Sequence, residues 1–222
     1  MKNGISEIDD KKFFLSPHGK VNAKAELDAT IYALLNETKY DDNSTACKFP
    51  ARKDWLVKKL KIDTLPKVEC KAYNKIITKL NPTSATIVFP SAHINSPASM
   101  FGHTFLRINS EYDSKLLSYA INYAANVDES KTNGLFYAFN GLVGGYHGFY
   151  SMLPYYEKLK EYRDSEQRDI WEYDLNLTQD EVDKCLNIFG NLMVFIQIIT
   201  FLLKIVRIIF YGYLNLQKKI YT

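Results

Sequence analysis

The histidine at position 103 is the residue whose type and placement best fit catalytic chemistry. It begins the segment His103–Ile108, whose alternation predicts a β-strand with His103, Phe105 and Arg107 on one face. A base and a cation would then share one surface, an arrangement suited to acid–base chemistry. The alternative is a hydrogen-bonded histidine at a strand start. Spacing leaves both open, because no nucleophile lies at a recognisable distance along the chain.

Two serines and one asparagine are candidate supporting groups. Ser96 and Ser99 lie in the loop string SPASMFGH before His103, which lacks the G-x-S-x-G elbow of a serine nucleophile. Asn122 falls on the strand predicted from Lys115 to Ala124. It can orient an imidazole only if that strand and the strand of His103 are neighbours.

The elements that must position these residues divide the sequence into three parts. Residues 1–81 predict helices near Asn22–Leu35, within Cys47–Leu60 and at Cys70–Leu80. Residues 82–184 predict a sheet, with further strands at Ser84–Pro90 and around the string IWEYDL. Residues 185–222 form a hydrophobic tail. In the second helix we expect Trp55, Leu56 and Leu60 to face inward.

Composition and motifs exclude several functional classes. A formal charge of +3, with basic and acidic residues interleaved over 222 residues, argues against nucleic-acid binding. The three cysteines form neither a CxxC pair nor a zinc-ligand spacing, so we expect no metal. The glycines at 144, 145 and 148 match no phosphate-binding motif, and no cofactor is indicated. Charged residues between Met1 and Lys20 leave no apolar export signal in the chain as written.

The tail is a different kind of sequence, since no acidic residue follows Asp183. The stretch Leu192–Tyr213 is about as long as a membrane-spanning helix. Lys204 and Arg207 lie inside it and would each cost roughly 2.5 to 3.5 kcal/mol at mid-bilayer. A membrane helix and a buried or interfacial helix are both compatible with this pattern.

Several strings taken together resemble the Lnb N-terminal periplasmic domain family of bacterial lipoprotein N-acyltransferases. They are FFLSPHGK, CKFPARKDWL, SPASMFGHTFLRI, SYAINYAAN and the long segment from GLVGGYHGFY to LTQDEV, which together run from about Phe13 to Val182. The resemblance implies a papain-like or NlpC/P60-like mixed α/β domain. Together with the patterns described above, this predicts an α+β fold in which a helical N-terminal part precedes that domain and a hydrophobic C-terminal helix follows it.

The resemblance also implies a function outside the cytoplasmic membrane. A cysteine thiolate with a histidine base, here His103, would take an acyl chain from a phospholipid and pass it to the N-terminal amine of a lipoprotein. Phospholipid, lipoprotein and membrane are therefore the implied partners. Because such a domain works in an oxidising compartment, we also expect Cys47 and Cys70 to form a disulfide if the domain is exported; the alternative is two independent buried thiols.

The family's cysteine lies in an ENCSY-type string that is missing here, and Cys185 is in the preceding helix. One hypothesis is a truncation or frameshift. Suitable codons for Val194–Leu216 read in another frame can spell IHSNYYFFTENCSYYFLWLFEF. The chain would then be an inactive acyltransferase-like domain. The alternative is a genuine tail, which would make the chain a non-catalytic, membrane-associated module.

Overall fold

The computed structural model describes residues 4–6, 8–61, 64–91, 103–112, 114–125, 136, 139–140, 145–165, 169–192 and 197–199. The chain divides into two compact units. The first comprises Met1–Asn81 with Leu186–Gln197, and the second comprises Pro82–Cys185 with Ile198–Thr222.

The first unit is helical, as the sequence predicts. Its helices are α1 (Ala23–Leu35), α2 (Thr45–Lys48), α3 (Pro50–Leu60) and α4 (Lys71–Leu80), after a 3-10 turn at Lys11–Phe13. The Asn22 side chain caps α1 by accepting a hydrogen bond from the backbone N–H of Ala25, and Pro50 occupies the first turn of α3. Leu34, Ala46 and Leu56 form the buried core of this unit.

Fewer residues of α3 are buried than the sequence suggests. Leu56 is buried, but Trp55 is 53% exposed and Leu60 is 51% exposed. The expectation that all three face inward was wrong. A helix that packs on only one side buries a single stripe, and Leu60 lies about 40° and Trp55 about 100° from Leu56 around the axis.

A largely buried ion pair connects α1 to α3, and its carboxylate also binds the loop before α1. Glu26 accepts hydrogen bonds from the backbone N–H groups of Leu15 and Ser16 and pairs with Arg52. The Arg52 guanidinium lies over the rings of Phe13 and Phe49, at 4.4 and 4.1 Å from their centroids. These contacts account for the string FFLSPHGK.

Gly19 in this loop leaves room for the carboxylate. A Cβ at this position would come within 2.1 Å of Glu26 Oε2, so a larger residue would displace the ion pair.

In the same unit, a disulfide joins Cys47 to Cys70, whose Cα atoms are 5.3 Å apart.

The second unit is built on an antiparallel sheet. Its strands are β1 (Pro82–Pro90), β2 (Phe105–Ser110), β3 (Tyr119–Ala125), β4 (Tyr146–Pro154) and β5 (Ile170–Asp174), with the short β6 (Gln197–Ile199) next to β4. The order across the sheet is β5-β1-β2-β3-β4-β6. The α+β class expected from the sequence is confirmed.

Strand β4 is the main element that the sequence did not predict. The glycines before it favour a turn, yet β4 pairs with β3 over seven positions, from Tyr119 opposite Pro154 to Ala125 opposite Gly148. Long-range pairing outweighs the local glycine signal here. The start of the predicted strand Lys115–Ala124 also differs, because Lys115–Leu117 is a 3-10 turn.

One face of the sheet is covered by a helix that follows β4. Helix α5 (Tyr155–Leu159) continues as a π-helix over Lys160–Ser165. Tyr155 and Tyr162 pack onto Val88, Phe105 and Ala120 to form the core of the second unit. This helix therefore covers the strand residues that follow His103.

The last described helix, α6 (Gln179–Leu192), begins at a capping box formed by Thr178 and Glu181. The Glu181 carboxylate accepts the backbone N–H of Thr178 at 2.8 Å, which satisfies a donor at the helix start. The helix ends at Leu192 and so includes the first residues of the hydrophobic tail.

The predicted hydrophobic C-terminal helix is not supported. Gln197–Ile199 is a strand, which agrees with the β-preference of two successive isoleucines. The rest of the predicted stretch after Leu192 lies outside the described residues. Within the described ranges, no helix is both long and apolar enough to cross a membrane.

Candidate functional site

His103 and Asn122 are in direct contact in the second unit. His103 Nε2 is hydrogen-bonded to Asn122 Oδ1. The contact exists because β2 and β3 are adjacent, with Leu106 opposite Ile121 and Arg107 opposite Ala120. Continuing this register puts Asn122 on the same face as His103.

The contact determines which ring nitrogen can act as a base. An amide oxygen only accepts hydrogen bonds, so Nε2 carries the proton that it shares with Asn122. In the neutral ring the lone pair is then on Nδ1. The pair thus holds the imidazole in one tautomer and one orientation, as a general base requires.

Aromatic rings form one wall of this site. The His103 ring centroid lies 6.2 Å from that of Phe105 and 6.3 Å from that of Tyr162. Phe105 and Tyr162 stack on each other at 6.0 Å with an interplanar angle of 20°. His103 is half-buried, and Asn122 is only 4% exposed. The pair therefore lies at the border of the core.

On the side of β3 and β4, described residues next to the pair are exposed. Ser151 on β4 lies directly opposite Asn122 in the sheet and is exposed. Ala124 and His147, on the same face, are exposed as well. A substrate can therefore approach His103 and Asn122 from the side of β3 and β4.

Arg107 shares this face but takes part in a separate polar cluster. Its guanidinium donates to Glu172 at 2.6 Å, to Asn109 at 2.7 Å and to Thr86 at 3.2 Å. The side chain is 3% exposed, and its carbon Cζ lies 5.0 Å from the centroid of the Tyr155 ring. These contacts favour a structural role for Arg107 over contact with a substrate.

Glu172 is the centre of that cluster. Burial alone would raise the pKa of this carboxyl, but hydrogen bonds from Arg107, Lys115 and Tyr155 outweigh the effect and lower the pKa to about 2. Burial and the hydrogen bond to Glu172 also raise the pKa of Tyr155 to about 12. The cluster is therefore an ionised carboxylate held by two cations, Arg107 and Lys115, and a neutral phenol.

None of the three cysteines is available as a thiolate. Cys47 and Cys70 are bonded to each other. Cys185 is a free thiol, but burial raises its pKa to about 12, so it stays protonated at neutral pH. Ser96 and Ser99, the predicted supporting hydroxyls, lie outside the described residues.

Sequence reasoning missed Tyr162, which lies beside His103, and Lys158, which lies beside Tyr162. Tyr162 forms part of the aromatic wall, and Lys158 places its Nζ 5.3 Å from the centroid of the Tyr162 ring. Their spacing with Tyr155, at three and seven residues, is that of one helix face. That periodicity could have identified them.

The fold and site define a small α+β domain with a histidine–asparagine pair at the border of a sheet. The model of the family described as Lnb N-terminal periplasmic domain matches residues 72–193, so the chain belongs to this family. Residues 1–59 match a second model, described as a domain of unknown function (DUF7843). The strings FFLSPHGK (residues 13–20) and CKFPARKDWL (residues 47–56) both lie within this second match and outside the first. Neither a curated protein nor a solved structure shows significant similarity to the chain.

Proposed function

We propose that this chain is the periplasmic domain of a lipoprotein N-acyltransferase-like protein that keeps the base of its site but lacks the nucleophile. The observation that carries the proposal is the His103–Asn122 hydrogen bond beside an open face of the sheet. Membership in the Lnb N-terminal family supports the class of reaction. The state of all three cysteines supports the missing nucleophile.

The proposed reaction is that of a protein of this kind that has its cysteine. The cysteine thiolate attacks an ester carbonyl of a phospholipid. The tetrahedral intermediate expels a lysophospholipid alkoxide, which takes its proton from the imidazolium of His103. The thioester is then attacked by the N-terminal amine of a lipoprotein. His103 removes a proton from that amine, an amide forms and the thiolate is regenerated. Asn122 keeps the imidazole oriented throughout.

The test compares two proteins by intact mass after incubation with a phospholipid. One is the chain as written, and the other carries the string IHSNYYFFTENCSYYFLWLFEF in place of residues 194–216. The second protein should gain the mass of one acyl chain and should transfer it to a lipoprotein peptide. The first should gain nothing.

The second protein, which carries the new string, is called the repaired protein. Two substitutions in it serve as controls. Changing the cysteine of the new string to serine, or His103→Ala, should abolish the acyl adduct almost completely, because these groups act as a unit. An acyl adduct on Cys185, Ser96 or Ser99 of the unmodified chain would overturn the proposal.

The alternative function, a non-catalytic membrane-associated module, rests on the apolar stretch Leu192–Tyr213. It predicts that the unmodified chain sediments with phospholipid vesicles and that removal of residues 200–222 abolishes this. If that result is obtained and the repaired protein forms no acyl adduct, the alternative is the better account.

A further inference from the structure

Lys158 is a buried cation whose position the fold alone does not explain. Its side chain is 11% exposed and lies on the sheet-facing side of α5. Lysine heads normally reach water, because removing an ammonium group from solvent is costly. Its ion-pair partner Glu161, at 2.5 Å, is 47% exposed, so solvent screens the pair and weakens the compensation for this burial.

Lys158 lies near an aromatic ring that also belongs to the candidate site. Nζ of Lys158 lies 5.3 Å from the centroid of the Tyr162 ring, and the His103 ring lies 6.3 Å from that same centroid. Tyr162 itself belongs to the π-helix Lys160–Ser165, a rare geometry that is frequent at functional sites. A cation and the proposed base thus lie near the same aromatic ring.

We propose that Lys158 binds the phosphate group of the phospholipid acyl donor. This inference rests on the function proposed above. A lysine ammonium is a strong binder of phosphate oxygens, and a site that excludes water strengthens the attraction. The phosphate takes the place of the Glu161 carboxylate at Nζ, and the glycerol part of the donor crosses the Tyr162 ring. The ester carbonyl then reaches the open side of His103.

The positive charge of Lys158 favours binding of the acyl donor, and not of the acceptor, next to this side chain. The acceptor of the proposed reaction carries an amine, which is attracted to carboxylates and repelled by an ammonium group. A phosphodiester has the opposite charge and the correct acceptor oxygens. The acceptor must therefore approach along the exposed part of β3 and β4, where Ser151 lies.

Binding to the full chain as written tests the proposal without requiring activity. The probes are dihexanoyl phosphatidylglycerol below its micelle concentration, neutral dihexanoylglycerol and inorganic phosphate. Dissociation constants are measured by calorimetry, and the His103 ring signals are followed by NMR. The variants are Lys158→Met, Lys158→Arg, Glu161→Gln and, as matched control, Lys160→Met. Lys160 is exposed and lies two residues away.

We expect Lys158→Met to weaken binding of the phosphatidylglycerol probe by about tenfold or more, the loss expected for one charge-assisted hydrogen bond. Binding of dihexanoylglycerol should not change, and Lys158→Arg should retain most of the affinity. Lys160→Met should behave like the unmodified chain. Glu161→Gln should bind the phosphatidylglycerol probe more tightly, because the competing carboxylate is gone.

Several results would overturn the assignment. One is unchanged phosphatidylglycerol binding in folded Lys158→Met, and another is an equal loss for both lipid probes. Inorganic phosphate that binds as tightly as the lipid would indicate a free-anion site instead. If Lys158→Met does not fold, the Glu161→Gln result decides, since a purely structural ion pair predicts no gain in affinity.

The failure of this inference can be told from failure of the proposed function. If the repaired protein forms an acyl adduct equally fast with and without Lys158→Met, only the assignment of Lys158 fails. If the lipid probe binds through Lys158 but the repaired protein forms no adduct, the catalytic proposal fails and the lipid site stands.

Discussion

At the scale of single residues, the carboxylate of Glu172 connects three other elements of the second unit. It accepts hydrogen bonds from Arg107 on β2, from Lys115 in the 3-10 turn and from the Tyr155 hydroxyl on α5. Glu172 itself lies on β5, at the edge of the sheet within the described residues. Loss of its charge should therefore affect the stability of the whole unit.

Glu172→Gln tests this role through its dependence on pH. The pKa of Glu172 is lowered from 4.5 to about 2 in the folded protein, so its contribution is present above pH 4.5 and is lost as pH falls toward 2. We expect the variant to be less stable near neutrality by on the order of 1–2 kcal/mol, after allowance for solvent screening. The difference should shrink as pH approaches 2.

Urea unfolding between pH 7 and pH 2 measures the effect, and Glu157→Gln on the exposed side of α5 is the control. A Glu172→Gln deficit that stays constant down to pH 2 would contradict the assigned pKa.

At the scale of elements, a hydrogen bond from a tyrosine hydroxyl connects α5 to strand β5 of the sheet. The Tyr155 hydroxyl donates to Glu172 at 2.7 Å, and its ring is 1% exposed. Tyr155→Phe keeps the ring in the core but removes the hydrogen bond to a charged acceptor. We expect a loss of about 1.5 kcal/mol in the free energy of unfolding, measured by urea denaturation.

The neighbouring Tyr156→Phe is the matched control, because Tyr156 is 51% exposed. It should change the free energy of unfolding by less than about 0.5 kcal/mol. Equal effects of the two substitutions would show that the hydrogen bond to Glu172 contributes nothing specific.

Elements with strong local signals were predictable from the sequence. The observed α1 begins one residue from its predicted start and has an asparagine cap, and β1 contains the predicted Ser84–Pro90. The tail differs at Gln197–Ile199, and β4 was missed entirely. In both cases a neighbouring strand decides the conformation: β4 pairs with β3, and Gln197–Ile199 lies next to β4. Contacts between strands leave no local pattern in the sequence.

At the scale of the whole molecule, the disulfide between Cys47 and Cys70 restricts the first unit. It joins residues 23 positions apart, so it limits the unfolded chain. The Cys47→Ala, Cys70→Ala double variant should lose about 3 kcal/mol of stability in that unit. The control is Cys185→Ala, which removes a thiol without removing a cross-link.

Thermal or urea unfolding followed by circular dichroism measures this loss. Addition of a reductant should produce the same change in the unmodified chain and almost none in the double variant. A double variant as stable as the oxidised chain would show that the cross-link contributes nothing.

The sequence by itself determined the helical character of residues 1–81, the main strands and the family to which the chain belongs, because caps, alternation and short strings depend on neighbouring residues. Tertiary structure alone decided that His103 meets Asn122, 19 residues away, and that Arg107 meets Glu172, 65 residues away. It also decided that Lys158 is buried beside Tyr162. The physical reason is that strand order and register place these side chains together, and neither follows from the period of a strand.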